Sequence, residues 1–385
     1  MTIRPTDTAL KLPDLNVAGF RGIEDLSISR LGRVTLFAGK NGVGKTTLLE
    51  AIQLYAARCS YDEVERLLDG REEFITAEDE DGDEVTTVDW EALFHGRHLS
   101  VGSYFSIGPR ENTEQRLTVR AVSLAEDQSK QTDLLIREYA SNDEIPALEI
   151  EFGSEKWELP LLYHVRSRGR YNRLPNGKSR LPPVIRCESL GPGLLDNSHV
   201  AKLWDNVALT DAENQTVQAL NLLSNKYAEA ERIAVIGDER PSRVPSRIPS
   251  RFYGRRAVVK LKGQDDRVPL KSLGDGATRL FGVALVLADI QDGFLVVDEV
   301  ENGIHHSIQR DFWNMVIKTA HENSTQVFAT THSWDCVKGF AQAAIDSTEV
   351  EGTLIRLERS DNRIRAIEYS EDELEVAAKQ HIEVR

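Results

Sequence analysis

The sequence of 385 residues contains little cysteine and no long apolar run. Its three cysteines, Cys59, Cys187 and Cys336, are far apart, which excludes a disulfide scaffold and a CxxC metal knuckle and is typical of a reducing cytosol. No segment reaches the ~18 consecutive apolar residues that a membrane-spanning helix requires. The first residues, MTIRPTDTALKLPDLN, have no signal-peptide pattern. The sequence therefore predicts a cytoplasmic protein without a membrane partner.

The formal net charge of -15 is concentrated in one part of the chain. Residues 61–100 hold 14 acidic and three basic residues, and their centre, residues 77–84, has no hydrophobic period. A run of like charges usually forms a solvated loop, and a metal site or a partner contact is the alternative. The acidic average argues against a uniformly basic nucleic-acid surface, but it does not exclude a local basic groove.

Two segments are, in contrast, purely basic. Residues 165–187 carry seven Lys or Arg residues without an acid, and residues 240–262 carry eight. The second segment repeats Pro-Ser-Arg at 241–243, 245–247 and 249–251, and this proline spacing predicts an extended loop. The cations either follow a phosphate backbone or face the acidic segment. Under the first interpretation, the candidate contacts to DNA or RNA are Arg166, Arg168, Arg170 and Arg173.

The hydrophobic pattern predicts an α/β fold with insertions. Residues 15–20 and 33–38 are predicted strands, and residues 45–57 are a predicted helix. Short alternating runs between residues 98 and 162 indicate an antiparallel β insert. A capping-box sequence at Thr210 predicts the start of another helix. After residue 270 helices and strands alternate, as in a parallel sheet, and these predicted elements are helices 277–290 and 304–320 and strands 294–297 and 326–329.

The clearest chemical signal is the segment GKNGVGKT at residues 39–46, which fits G-x-x-x-x-G-K-[ST] between a predicted strand and a predicted helix. Glycines in such a loop allow successive backbone N–H groups to face phosphate oxygens. Lys45 would hold the β- and γ-phosphates, and the Thr46 hydroxyl would bind Mg²⁺. The sequence therefore predicts a site for ATP and Mg²⁺ that consists of Gly39, Lys40, Asn41, Gly42, Val43, Gly44, Lys45, Thr46 and Thr47.

A second signal is an acidic pair that follows a buried strand. Four apolar residues at 294–297 end in Asp298 and Glu299. Ligands bind at the carboxyl edge of a parallel sheet, so both carboxylates are expected at the nucleotide. Asp298 would bind Mg²⁺ directly or through water, and Glu299 would orient and polarise the attacking water.

Two further segments follow in the order expected of a nucleotide site. Ser272, Gly274, Asp275 and Gly276 precede a predicted helix, whose N-terminus can receive an anion. His332 comes directly after the next predicted strand, where it could reach a γ-phosphate. In isolation, either feature is more often structural, as a helix cap or a lone histidine.

The order of these segments resembles the ABC-type ATPase heads of the SMC, RecF and OLD group. The segment VAGFRG at 17–22, followed by LFA at 36–38 and the P-loop, is similar to the N-terminus of that group. The segment QVFATTHSWD at 326–335 is similar to its stand-alone prokaryotic members. The resemblance covers residues 14–60 and 265–370 and is weak in the middle. It implies an α/β P-loop fold of ABC type in three parts: an N-terminal lobe with the β insert at 1–162, a helical, basic insertion at 163–262, and a C-terminal lobe at 263–385.

The resemblance also implies how the site works. Ser272 and Gly274 would form a signature loop that reaches ATP bound by another subunit, so a dimer or higher homo-oligomer is expected. Residues 301–305 would be the D-loop, His332 the switch histidine, and Arg21 a further nucleotide contact. The chain departs from the pattern at Leu273, where glycine is frequent, and it has no convincing Q-loop glutamine or long coiled coil.

For the biological role, the resemblance implies an ATPase that senses or regulates in prokaryotic antiphage defence, as in Gabija and PARIS systems. Only 53 residues follow His332, which leaves no room for a nuclease site, so a Toprim-type nuclease effector is expected on another chain. The alternatives are a RecF-like ATPase that binds DNA ends, and a scaffold that ATP locks with little turnover. A transporter motor is disfavoured because the chain has no membrane span.

Overall fold

The computed structural model describes residues 10–78, 84–125, 144–161, 184–223, 229–237, 254–347, 352–360, 363–369 and 373. The α-helices in these ranges are α1 Lys45–Ala56, α2 Tyr61–Asp69, α3 Asn197–Val207, α4 Asp211–Asn221, α5 Asp275–Asp289, α6 Gln309–Glu322 and α7 Trp334–Asp346. The strands of the first half are β1 Leu15–Phe20, β2 Ile23–Ile28, β3 Val34–Ala38, β4 Phe74–Glu78, β5 Glu84–Val88, β6 Tyr104–Gly108, β7 Leu117–Ala125, β8 Glu144–Phe152 and β9 Glu155–Pro160. Those of the second half are β10 Cys187–Leu190, β11 Ala230–Ile236, β12 Arg256–Leu261, β13 Arg267–Pro269, β14 Phe294–Val297, β15 Gln326–Thr331, β16 Gly352–Ser360 and β17 Arg363–Tyr369. No helix in these ranges is long and apolar enough to cross a membrane.

A mostly parallel sheet with the order β10-β14-β15-β3-β16-β17 forms the centre of the fold. The first five strands pair in parallel, and β17 returns antiparallel to β16. Every residue of β3, β14 and β15 is buried, as expected for strands covered on both faces. This sheet confirms the predicted α/β P-loop fold, and it brings the ends of β3, β14 and β15 to one edge.

Alternate residues along the central strands face two different cores. Leu295 and Val297 of β14 pack in a core with α3 to α7, whereas Phe294 and Val296 pack in a core with α1. On the far side of α1 lies the second six-stranded sheet, which is antiparallel with the order β2-β1-β6-β7-β8-β9. The helix that follows the P-loop therefore lies between two sheets, and burial on both sides fixes its position.

The predicted antiparallel β region is confirmed, but the sheet begins much earlier in the chain than the pattern indicated. The hairpin of β1 and β2 belongs to it, because β1 pairs with β6 through Ala18 and Ser106. β1 also contributes Leu15, Val17 and Phe20 to the core around α1. A local pattern shows that a segment is a strand but does not show which distant strand it pairs with.

The middle of the chain combines helices with a small sheet. Helices α3 and α4 pack with α5, and β11, β12 and β13 form a three-stranded antiparallel sheet that the sequence pattern did not predict. β10 lies within the predicted insertion 163–262, yet it pairs with β14 in the central sheet. The predicted division of the chain into three parts stays a prediction. One strand of the predicted middle part, β10, belongs to the central sheet.

A predicted helix start and a predicted helix cap need correction. The helix predicted at 304–320 begins at Gln309, because residues 306–308 form a 3₁₀ turn whose Ser307 N–H donates to the His305 side chain. At α4 the N-cap residue is Thr210 as predicted, but its hydroxyl donates to the Val207 carbonyl at 2.6 Å instead of capping the helix.

Candidate active site

The predicted P-loop joins β3 to α1 and is closed on one side by the hairpin of β16 and β17. Gly44 has φ of 107°, and a Cβ atom there would lie 2.6 Å from Cδ1 of Ile364 in β17. This φ angle strains any residue that carries a side chain, and a Cβ atom would also displace the end of the Ile364 side chain. Lys40, Asn41 and Thr46 are exposed, and Gly42 also lies open to solvent at the tip of the loop. Val43 is buried in the core beside α1, whereas Thr47 is half-buried.

Lys45 is folded back into this loop. Its side chain is buried, and Nζ donates to the carbonyl oxygens of Gly39 at 2.7 Å and Lys40 at 3.0 Å. Burial lowers the pKa of Lys45, while the nearby carboxylates of Asp298, Glu301 and Glu299 act to raise it. A buried cation with only neutral carbonyl partners fits a place where a phosphate binds, because an anion would compensate the charge.

Thr46 and Asp298 meet across the edge of the sheet. The Thr46 hydroxyl donates to Oδ2 of Asp298 at 2.8 Å, although 252 positions separate the two residues in the chain. The other carboxylate oxygen accepts from the hydroxyl of Thr330, which belongs to β15. A hydroxyl and a carboxylate are the hard oxygen ligands that Mg²⁺ prefers, so the donor set fits the predicted metal.

Glu299 occupies an unusual turn directly after β14. Its φ of 47° is uncommon for a residue other than glycine. Its N–H donates to the hydroxyl of Thr330 at 2.9 Å, and its carboxylate accepts from the amide of Asn302 at 3.0 Å. The Glu299 side chain is 36% exposed, so it can hydrogen-bond to solvent beside the P-loop.

His332 follows β15 and lies beside two carboxylates. Its Nδ1 is 3.2 Å from Oε1 of Glu301 and 3.9 Å from Oε1 of Glu299. The same Glu301 oxygen accepts the backbone N–H of His332 at 2.9 Å. Glu301 thus holds the loop that carries His332, a role that the sequence did not indicate. The contact could have been predicted from the strand order: Glu301 follows β14 and His332 follows β15, and the carboxyl ends of these neighbouring parallel strands lie at one edge.

The predicted signature segment lies at the N-terminus of α5. Ser272 is exposed in a 3₁₀ turn that spans Leu270–Leu273, and Gly274 and Asp275 are also exposed. Gly276 packs against Gly303, since a Cβ atom on Gly276 would lie 2.3 Å from the Gly303 carbonyl oxygen. The segment therefore contacts the predicted D-loop of its own chain and presents Ser272 to solvent. Its action on another subunit stays a prediction.

Arg21 was predicted to touch nucleotide, and the structure gives its charge other partners. Its guanidinium lies 3.1 Å from Glu50 of α1 and 2.6 Å from Glu73, and its side chain is buried. The nucleotide contact stays a prediction.

Several predicted features lie outside the described residues. They are residues 79–83 of the predicted acidic loop, the Pro-Ser-Arg segment 241–251, and the candidate nucleic-acid contacts Arg166, Arg168, Arg170 and Arg173.

Two family models and two relatives match this chain. A family model described as an AAA domain matches residues 14–157, and one described as an AAA ATPase domain matches residues 188–337. An ATP/GTP phosphatase of Helicobacter pylori is 21% identical over 353 residues, which is 85% of this chain and 86% of that protein. An uncharacterized protein of Methanocaldococcus jannaschii is 29% identical over 114 residues, which is 29% of this chain and 99% of that protein.

Two solved structures are similar at low sequence identity. The Smc head bound to the C-winged helix domain of ScpA has 13% identity, covers 96% of this chain and 99% of that chain, and has a TM-score of 0.48. The SMC head domain from Thermotoga maritima has 13% identity, with 94% and 100% coverage and a TM-score of 0.43. The central sheet and the loop between β3 and α1 form an α/β P-loop ATPase fold, and two segments of the chain are similar to AAA domains.

Proposed function

We propose that the protein hydrolyses ATP with Mg²⁺ at the edge where β3, β14 and β15 end. The observation that carries this proposal is the 2.8 Å hydrogen bond between Thr46 of the P-loop and Asp298 after β14. This direct contact between two protein side chains joins the predicted phosphate loop to the predicted metal-binding carboxylate. Lys45, Glu299 and His332 lie around the same contact.

Each residue has a part that its surroundings support. Lys45 would exchange the carbonyls of Gly39 and Lys40 for phosphate oxygens. Thr46 and Asp298 would hold Mg²⁺, which when bound with ATP neutralises charge on the β- and γ-phosphates. Glu299 would accept a hydrogen bond from the attacking water and orient it, because its side chain is partly exposed and its carboxylate is fixed by Asn302.

We infer further that a second copy of the chain completes the site. Ser272, Gly274 and Asp275 are exposed, and the N-terminus of α5 can bind an anion once a partner presents one. Within the described residues, no hydrogen bond joins this segment to residues 39–46 of the same chain. ATP held between the P-loop of one copy and Ser272 of the other would couple nucleotide binding to dimerisation.

For the biological role, we propose an OLD-like regulator of a separate effector, such as a Toprim-type nuclease, in prokaryotic antiphage defence. The support is the sequence resemblance in the P-loop region and around His332. The alternative is a RecF-like ATPase that binds DNA, and the clusters of basic residues in 165–187 and 240–262 favour it. Salt-dependent binding to duplex DNA would favour the alternative, and an adjacent nuclease-like gene would favour the first.

The test of ATP hydrolysis uses two substitutions with opposite expected effects. Glu299→Gln should bind ATP and slow hydrolysis by about 100-fold or more, since a positioned acid–base group contributes about 10²–10⁴. Lys45→Ala should lose ATP binding first. Glu322→Gln, an exposed glutamate at the end of α6, is the control and should match the wild type. Hydrolysis by Glu299→Gln within a few-fold of wild type would contradict the role of Glu299.

A further inference from the structure

A buried arginine lies behind the acidic pair on the helix that carries the predicted signature segment. Arg279 is in the second turn of α5 and is 4% exposed. No carboxylate in the described part of the chain forms an ion pair with it, and its hydrogen bonds all go to main-chain carbonyls. Burying a charge in this way is costly, so such a residue calls for a reason beyond packing.

The carbonyls that it binds belong to two loops at the active-site edge. Nη2 donates to the carbonyl oxygens of Asp298 at 2.6 Å and Glu299 at 3.3 Å. Nη1 donates to those of Gly191 at 2.5 Å and Gly193 at 3.0 Å, in the loop after β10. One guanidinium therefore joins α5 to the ends of two adjacent parallel strands.

The main chain at Glu299 needs such support. β14 ends at Val297, and beyond this strand the carbonyl of Glu299 accepts from the backbone N–H of Asn302 at 3.1 Å as well as from Arg279. With φ of 47°, Glu299 has a conformation that costs a residue with a side chain about 1–2 kcal/mol. A turn of this kind persists only where its surroundings fix it, and Arg279 supplies two of the donors that do so.

The loop after β10 is tied to the same turn from the other side. The amide of Asn302 donates to the carbonyl of Pro192 at 3.2 Å and to the carboxylate of Glu299 at 3.0 Å. Arg279 binds the carbonyls on either side of Pro192. Because Arg279 and Asn302 hold the same loop, a shift of α5 would move both the backbone of Glu299 and the partner of its carboxylate.

We propose that Arg279 is a positioning residue that couples the N-terminal segment of α5 to the orientation of the Glu299 carboxylate. The proposal rests on the proposed function, in which Glu299 orients water and the segment at Ser272 meets a second copy. Docking of that copy on α5 would thereby set the geometry for hydrolysis through the four carbonyl contacts. The planar fork of arginine reaches all four oxygens, whereas the single ammonium group of lysine cannot.

The test separates hydrolysis from binding and folding. Arg279→Lys keeps the charge and should fold with a near-wild-type melting temperature and bind ATP with an affinity within about twofold, while kcat falls by at least about tenfold. Arg33→Lys is the matched control, because Arg33 is equally buried and donates to the Ser324 carbonyl at the amino ends of the strands. It should leave kcat unchanged.

A double-mutant cycle distinguishes positioning from a structural role. If Arg279 acts through Glu299, Arg279→Lys should change the single-turnover rate little in a Glu299→Gln background, whereas an independent effect would multiply the loss. Near-wild-type kcat of Arg279→Lys, with Glu299→Gln inactive, would overturn this proposal and leave the proposed function intact. Failure of Arg279→Lys to fold or to bind ATP would also overturn it. An inactive wild type would instead contradict the proposed function, and the coupling with it.

Discussion

The composite site predicts that two inactive variants restore each other's activity. Ser272→Arg places a long cation in an exposed turn, so the free energy of unfolding should change by no more than about 0.5 kcal/mol. The P-loop of this variant is intact and should bind ATP normally. Lys45→Ala lacks the phosphate-binding cation but keeps an intact Ser272. Neither homodimer has a site in which both parts are present.

The size of the recovery follows from symmetry. If subunits exchange freely in an equal mixture, about half of the dimers are mixed, and each of these has one site with both parts intact. A wild-type dimer has two such sites, so the mixture should reach about one quarter of wild-type activity if the sites act independently. The measured rate should pass through a maximum at equal proportions of the two variants.

The assay is an ATPase titration at constant total protein concentration. Two affinity tags, one on each variant, would establish that mixed dimers form, and a mixture of Lys45→Ala with wild type would control for inhibition by the inactive copy. No recovery despite demonstrated mixed dimers would refute a composite site with independent halves. Full activity of Ser272→Arg alone would remove Ser272 from the site and favour a P-loop ATPase completed within one chain.

Two further predictions concern the glycines of the P-loop and the basic segment at residues 165–187. Gly44→Ala should destabilise the protein by about 1–3 kcal/mol and weaken ATP binding, since it combines φ of 107° with a contact to Ile364 at 2.6 Å. Gly42→Ala, with no atom within 4 Å of the added Cβ, should cost less in a thermal melt. If the basic segment binds DNA, removing four charges should flatten the salt dependence by ~0.9 per lost contact without changing ATP affinity, and the absence of DNA binding by wild type at low salt would contradict this. The four substituted residues are Arg166, Arg168, Arg170 and Arg173.

The parts of the site that the sequence predicts are those encoded by local spacing. The P-loop is contiguous, and Asp298 and Glu299 directly follow an apolar strand. Parallel pairing of β3, β14 and β15 then brings these segments to one edge, because the carboxyl ends of parallel strands lie together. Sequence periodicity and the rule for parallel sheets therefore suffice to place Thr46 beside Asp298.

The parts that the sequence does not predict depend on long-range packing. The contact of Glu301 with His332, and the four carbonyls bound by Arg279, involve residues that local patterns treat as an ordinary turn and an ordinary helix. The pairing of β1 with β6 is equally invisible, because alternation specifies a strand face but not its neighbour. Such contacts follow only from the order of strands in the sheets.

The charges at this edge are arranged so that Lys45 remains available to a ligand. Three carboxylates lie near it, yet each has its own neutral donors: hydroxyls for Asp298, an amide for Glu299 and a backbone N–H for Glu301. Within the described residues Lys45 forms no ion pair and donates to carbonyls alone. Leaving a neutral carbonyl costs less than leaving a buried carboxylate, since removing one partner of a buried ion pair is strongly destabilising. A phosphate can therefore replace the carbonyls as the acceptor for the Lys45 ammonium group, while the carboxylates stay in place to bind metal and water.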